Sequence, residues 1–339
     1  MDITVDSIRQ DDHTSFERAY EIKAASLAAD LPGFPPLCRQ RFFGGLRHPM
    51  PVTGYRWLLA RLDGEPVGFA ELELPQADNT AMAVVQVHVR PGSRRRGVGR
   101  ALHRRVVRLM GDLGRKRIIG QTAGTLPDGP ERDPAGDAFA RAVGATAALV
   151  DVRRRLDATG LDEVALDRQL AEARSRAGDY RTVRWPGIPP EEYLADLAYL
   201  DGRLLLDAPT GELDYEPEKI DATRARGIAE ARVAAGRRTY HTAARHEATG
   251  RLVAWTTIDV GATPDWHAFQ QITIVDPAHR GRRLGTLLKI ENLRYAMANE
   301  PALRSVDTWN AADNEHMISI NEAIGFRPVD RWTDWQLTL

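Results

Sequence analysis

The second half of this chain repeats the first, and that leaves few folds open to it. Arg94-Arg95-Arg96-Gly97-Val98-Gly99-Arg100-Ala101-Leu102 resembles Arg280-Gly281-Arg282-Arg283-Leu284-Gly285-Thr286-Leu287-Leu288, at an offset of 186 residues. The same offset pairs Val89 with Val275, Pro91 with Pro277, and Gly64-Glu65-Pro66-Val67 with Gly250-Arg251-Leu252-Val253. Outside this core the spacing drifts. Asp30-Leu31-Pro32-Gly33 echoes Asp207-Ala208-Pro209-Thr210-Gly211, and Gly144-Ala145 echoes Gly325-Phe326. A constant core with drifting flanks is what loop insertions do to a duplicated domain. Two domain-sized copies exclude a solenoid of short repeats.

Each half carries the same string of elements. Residues 3–9 read as a strand and 14–29 as a helix. Tyr55 to Leu62 and Val67 to Leu74 alternate around Asp63-Gly64, a hairpin signal, and Ala81 to Val89 is a third β-rich run. Val98, Leu102, Val106, Leu109 and Leu113 then recur at helical spacing, Gly114 closes that helix, and Arg117 to Thr122 returns as a strand. The second half repeats this with a strand over Tyr180 to Trp185, helices over 191–205 and 218–235, and a hairpin of Arg238 to His246 with Leu252 to Val260. Phe269 to Val275 follows as a strand, then a helix from Leu284 to Met297. The charged, helix-favouring stretch between the halves reads as a linker, giving modules over 1–157 and 179–339 joined by 158–178.

Composition narrows the function. A net charge of −1 gives no global pull toward nucleic acid or an anionic membrane. The single cysteine, Cys38, cannot form an internal disulfide and suits a reducing compartment. It is read as a structural thiol. The start, Met1-Asp2-Ile3-Thr4-Val5-Asp6, has neither the basic nor the apolar part of a leader, and no apolar run reaches membrane-spanning length. The expectation is a cytoplasmic monomer or homodimer. The histidines lack His-x-x-x-His spacing or cysteine partners, so no metal site is expected.

The chemistry is concentrated in the glycine turns. Each follows a strand and opens a helix, whose first N–H groups lack intrahelical acceptors and, with the helix dipole, attract an anion. Gly97 and Gly99 remove side chains that would hold a pyrophosphate off the backbone, and Arg94, Arg95 and Arg96 add charge. A nucleotide P-loop would end in Gly-Lys-Ser/Thr, and a dinucleotide fingerprint would want a third glycine where Leu102 stands. Neither is present. A basic helix start without a ligand stays open on these residues alone.

At this point the motifs resemble a known family. Val87-His88-Val89-Arg90-Pro91 followed by Arg94-x-x-Gly97-x-Gly99 resembles the acetyl-CoA motif of the GNAT (GCN5-related N-acetyltransferase) superfamily, a Gln/Arg-x-x-Gly-x-Gly/Ala turn after the fourth strand. The second copy departs from it at Arg283, which stands where the first glycine is expected. Asn314-x-x-Met317-x-x-x-Asn321-x-x-x-Gly325-Phe326 resembles the family's final helix and its Gly-Phe ending. The family often carries a tyrosine four residues before that glycine, as general acid for the leaving thiolate. Here Asn321 stands there, with Ala140 in the first half, where Gly144-Ala145 replaces Gly-Phe.

The resemblance implies an α/β fold of the α+β type: two tandem GNAT-like modules, each a mixed, mostly antiparallel sheet flanked by helices. It implies acetyl-CoA or another short acyl-CoA, attacked directly by the amine of a small molecule in a ternary complex. The cofactor contacts it implies are Val87, His88, Val89, Arg94, Arg95, Arg96, Gly97, Val98, Gly99 and Arg100 in the first half. In the second they are Thr273, Ile274, Val275, Arg280, Gly281, Arg282, Arg283, Leu284, Gly285, Thr286 and Asn314. Candidate catalytic groups are Glu73 and Asp259, related by the 186 offset on the strand beside the acyl-bearing one, and Asn321; Asp307 is a further carboxylate. Ordinary strand-end carboxylates are the alternative for each. Asp207, Glu212, Asp214 and Tyr215 lie in the loop where the family places its acceptor. The fuller final helix and the longer acidic loop favour the second module for chemistry. The alternative to an enzyme is an acyl-CoA-binding sensor or scaffold whose missing tyrosines mark lost chemistry.

Overall fold

The computed structural model describes residues 2–339; Met1, with which the expected first module begins, lies outside the described residues. The first half runs β1 (Ile3–Ser7), α1 (His13–Asp30), α2 (Arg39–Arg47), β2 (Thr53–Leu62), β3 (Glu65–Pro75), β4 (Met82–Val89), α3 (Val98–Asp112), β5 (Arg117–Gly124), α4 (Ala135–Ala142) and β6 (Thr146–Asp157). After α5 (Glu163–Arg176) the second half begins with β7 (Tyr180–Pro186), α6 (Leu194–Gly202), α7 (Leu204–Asp207) and α8 (Ala222–Ala234). It continues β8 (Arg238–His246), β9 (Leu252–Val260), β10 (His267–Val275), α9 (Leu284–Asn299), β11 (Ser305–Ala311), α10 (Glu315–Ile324) and β12 (Arg327–Thr338). Among the described residues no helix is long and apolar enough to cross a membrane.

Local sequence explains most of these boundaries. Asp63 and Gly64 both take positive φ (50° and 89°), the twist that lets β2 and β3 close on a two-residue turn. Asp12 starts α1 by accepting from the Ser15 N–H, and Asp162 starts α5 by accepting from Ala165. Val98, Leu102, Val106 and Met110 form the buried stripe of α3, which packs on Leu58, Ala60 and Leu72 of β2 and β3. The helix expected over 191–205 is broken into a short turn, α6 and α7. The one expected from 218 starts at Ala222, where Asp221 caps it. The stretch between the halves does more than link them. Leu166, Leu170 and Ala173 of α5 are buried and join the core around α9.

The halves share one 12-stranded sheet in the order β1-β2-β3-β4-β5-β12-β6-β11-β10-β9-β8-β7. The fold class is the expected one, since all pairings are antiparallel except β4 with β5 and β10 with β11. The sheet adds an exchange of last strands. β6, from the first half, pairs with β11, and β12, from the second, pairs with β5; the two exchanged strands pair with each other at the centre.

Side chains fix that register. Arg153 on β6 is fully buried, with Nη1 2.7 Å from Asp307 on β11 and Nη2 2.6 Å from Asp330 on β12. Arg132 completes Asp330 at 2.8 Å, and Arg155 completes Asp307 at 2.6 Å. Burial alone would raise the Asp307 carboxyl. Bonds from Arg155 and His267 and the charge of Arg153 hold it far below the usual carboxylate range instead. Asp307 is therefore a structural anion at the seam.

The segments after the first helices are exchanged too. Phe34, between α1 and α2, packs on Phe269 of β10, Trp309 of β11 and Trp332 of β12, with the Arg153 guanidinium 5.1 Å from its ring. The segment after α7 crosses the other way. Glu212 donates its N–H to Ala148 O, and Asn79 and Glu216 exchange two hydrogen bonds. Each half thus covers part of the other's sheet.

Candidate functional site

Both glycine turns are built alike. The first backbone bond of α3 runs from Ala101 N–H to Gly97 O, and that of α9 from Leu287 N–H to Arg283 O. The N–H groups of Val98, Gly99 and Arg100, and of Leu284, Gly285 and Thr286, are therefore left without intrahelical acceptors. Gly97 sits in the left-handed region at φ 88°, and Arg283 takes the same conformation at φ 55°. Its guanidinium turns aside to Glu172, 2.8 Å away. The departure from glycine costs roughly 1–2 kcal/mol of backbone strain and does not fill the turn.

Beside each turn the sheet opens. β4 pairs with β5 only from Met82 to Val84, and β10 with β11 only from His267 to Phe269. Arg90 N–H bonds Val67 O and Asp276 N–H bonds Val253 O. By strand alternation the N–H groups of Val87 and Val89, and of Thr273 and Val275, point into the opened side. β10 carries a bulge against β9 between Gln270 and Thr273; β4 has none against β3.

The second turn borders a cleft of 730 Å³. Thr273, Ile274 and Val275 line it from β10, and Arg280, Gly281, Arg283, Leu284, Gly285 and Thr286 from the turn. Asn314 lines it at the cap of α10, and Asp207 at the end of α7; Arg282 does not line it. Free amides at a helix start, basic side chains and that volume fit the pyrophosphate and pantetheine arm of an acyl-CoA. Asp207, read from sequence as an acceptor contact, is here an anchor of the turn, paired with Arg280 at 3.0 Å and Arg203 at 2.8 Å. Its repeat partner Asp30 does the same for Arg94 at 2.6 Å, joined by Asp133 at 2.9 Å. Arg96 lies 3.9 Å from Asp63, and Arg95 and Arg100 are exposed. The Phe139 ring of α4 stands against Gly99, 3.2 Å from where a Cβ would sit; Ile320 holds that place at Gly285, at 3.5 Å. Filling either space with indole ejects a ligand from that turn. Calorimetry with CoA should read two sites per chain, and one after Gly285→Trp. An unchanged count would remove the cleft from the cofactor account.

The carboxylates related by the repeat have different surroundings. Asp259 is 1% exposed and paired with Arg237. Glu73 has no ion pair or hydrogen bond among the described residues. Burial, helped by Glu71 and opposed by Lys23, raises its carboxyl above the ordinary range. Glu73 faces a 410 Å³ chamber between the halves, with Tyr55 and Trp57 of β2, Glu71 of β3 and Gln86 of β4. Phe34, Arg41 and Phe42 close it from α1–α2, and Arg237, His267 and Phe269 from the second half. The matching space in the second half is only 30 Å³. There His241, the repeat partner of Tyr55, stacks on Trp185 at 5.2 Å and Trp255 at 5.9 Å.

Other sequence candidates lie elsewhere. Asn321 is fully buried on the inner side of α10, its Nδ2 donating to Asn310 Oδ1 at 2.6 Å, and does not line the cleft. Glu212, Asp214 and Tyr215 are carried onto the first half. Asp214 pairs with Arg117, and Tyr215 packs near Met82 and Ile119, where burial pushes its phenol up to about 12. His88 is buried at the end of β4, and burial pushes its imidazole down to about 3. Lys23, Arg41, Tyr55, Trp57, Glu71 and Gln86 were not singled out from sequence. The signal available was the alternation Tyr55-x-Trp57 and Glu71-x-Glu73, which places all four on one face.

A single sheet split beside two helix-opening glycine turns defines a class, and comparison with known proteins agrees. The pattern of the Acetyltransferase (GNAT) family matches residues 17–125, across the first turn. A tandem GNAT protein from the clavulanic acid biosynthesis pathway is 33% identical and superposes with a TM-score of 0.80, over 99% of this chain and 98% of that one. The chain belongs to the GNAT family of N-acetyltransferases, in its tandem form. It is also similar to a mycothiol acetyltransferase of Nocardia farcinica, 28% identical over 97% of this chain and 96% of that protein. A mycothiol acetyltransferase of Geodermatophilus obscurus is 41% identical over 88 residues, 26% of this chain and 27% of that protein.

Proposed function

We propose that this protein transfers an acyl group, acetyl first among them, from acyl-CoA to the amine of a small molecule, and that the first half does the chemistry. The observation that carries this is Glu73: a carboxylate without an ionic partner, raised above its ordinary value by burial, facing a chamber between the halves beside Gln86 at the opened edge of β4. When bound, acyl-CoA supplies the activated acyl group. Val98, Gly99 and Arg100 offer their amides to its pyrophosphate, and the N–H of Val87 or Val89 polarises the carbonyl. Glu73 takes the proton from the amine, directly or through one water, as the amine nitrogen bonds the carbonyl carbon; the C–S bond breaks and the departing thiolate takes its proton from solvent. Acceptor and thioester held on either side of one strand gain the advantage of proximity.

The sequence favoured the second half, and two observations support the reverse. Asp259 and Asp307 are both neutralised by arginine, and the acceptor side there is filled by His241 and Trp255. The second half then reads as an acyl-CoA-binding module without turnover, which keeps the sensor or scaffold reading for that half alone. Mixing the protein with acetyl-CoA and a panel of small primary amines should release free CoA thiol. Gly99→Trp should end the release and Gly285→Trp should spare it. The opposite pattern moves the chemistry to the second half, and no release with any amine withdraws the transferase reading.

A further inference from the structure

The charges around the inter-half chamber do not cancel at random. Lys23 and Glu71 neutralise each other at 2.7 Å. Arg237 is taken by Asp259, and His267 lies 3.0 Å from Asp307; His48 sits at the exposed rim. Two charged side chains are left without an ionic partner among the described residues: Glu73, on the floor made by β3, and Arg41, on the wall made by α2. Arg41 rests on the Phe269 ring at 5.6 Å, its charge raised in cost by burial and met by no carboxylate. A third group is also unsatisfied. Trp57 lines the chamber, is nine-tenths buried, and its Nε1–H has no hydrogen-bond partner. Buried donors and charges without partners are costly in a folded protein unless a ligand completes them.

We propose that the chamber binds the acceptor as a zwitterion: a small molecule with a primary amine placed at Glu73 and a carboxylate placed at Arg41, its apolar body lying against the aromatic rings between them. Opposite unpaired charges in one cavity select a ligand that carries both, since a plain amine leaves Arg41 bare and a plain acid leaves Glu73 bare. A volume of 410 Å³ suits a body of amino-acid to dipeptide size. The inference rests on the reading of the first half as the acceptor side, and binding tests it separately from turnover.

Calorimetry on the full chain would use matched sets built on phenylalanine, methionine and lysine, each as the amino acid, its amide and its deaminated acid. In at least one set the amino acid should bind ten-fold or more tighter than both truncated forms. Arg41→Met should lower its affinity to that of the amide while leaving the amide unchanged, and Glu73→Gln should lower it to that of the deaminated acid. The comparison among ligands on the unaltered protein needs no variant, so a folding failure of Arg41→Met leaves the test intact. Amides binding as tightly as amino acids in every set, or no binding in any, overturns the proposal. Zwitterion binding without acetyl transfer would instead sink the assignment of the chemistry. Acetylation of amides as fast as of amino acids would keep that assignment and sink this one.

Discussion

Replacing Glu73 with glutamine should lower kcat/KM for acetyl transfer by about 10²–10⁴-fold, the usual worth of a positioned general base. CoA binding at both turns should be unchanged, because Glu73 touches neither. The pH profile gives the sharper reading. A base works only once deprotonated, and burial has raised this carboxyl above its ordinary value. Activity in the unaltered protein should therefore fall as pH drops through a value above the usual glutamate range. The residual activity of Glu73→Gln should lack that limb. A flat acid limb in the unaltered protein, or an unchanged one in the variant, would pass the role to another group. Asp259→Asn makes the contrast: it strands Arg237 in a buried site, so its main effect should be on stability.

Arg153→Met should destabilise the whole chain by about 3–5 kcal/mol, the cost of leaving buried charges with a partner removed. For a chain of this size that corresponds to a fall in Tm of roughly 4–7 °C. Arg153 is shared by Asp307 and Asp330 on the two strands that flank β6, and each carboxylate keeps one other arginine. Because the last strands are exchanged, both halves should melt together before and after the change. Calorimetric scans would show this as one transition that shifts. Two separated transitions, or a shift below one degree, would contradict the seam as described. Adding Asp307→Asn and Asp330→Asn to Arg153→Met should deepen the loss, since Arg132 and Arg155 then lose the carboxylate each still pairs with.

The sequence carried the elements of each half because their signals are local. Asp63-Gly64 sets a turn whatever surrounds it, and the spacing of Val98, Leu102 and Val106 marks a helix, although Leu113, read as the end of that stripe, is exposed. The repeat carried the glycine turns, since amides and arginines there act through the backbone of a few consecutive residues. What lay beyond reach was partnership. β6 and β12 carry no strand reading from the sequence, and nothing within Thr146–Asp157 says that its neighbour is β11; that is decided by Arg153 meeting two aspartates more than 150 residues away. Glu73 and Asp259 occupy the same place in the repeat, yet Arg237 reaches only Asp259 and only Glu73 faces a roomy chamber. The acidic loop from Glu212 to Tyr215 reads as an asset of the half that encodes it, and the chain hands it to the other.

That hand-over bears on how such a chain could have arisen and stayed whole. After a duplication, one copy is ordinarily free to decay once the other suffices. Here decay to nothing is barred. A gene shortened after Asp157 would leave β5 with a bare edge where β12 should lie, and β6 with no β11 to join, a surface that invites aggregation. Selection can therefore relax on the chemistry of either copy while holding on to its last strand. A silent partner kept for its shape is the outcome such interlocking allows, and mutations that abolish only the second copy's ligand should be carried without penalty to growth where those that loosen its final strand are not.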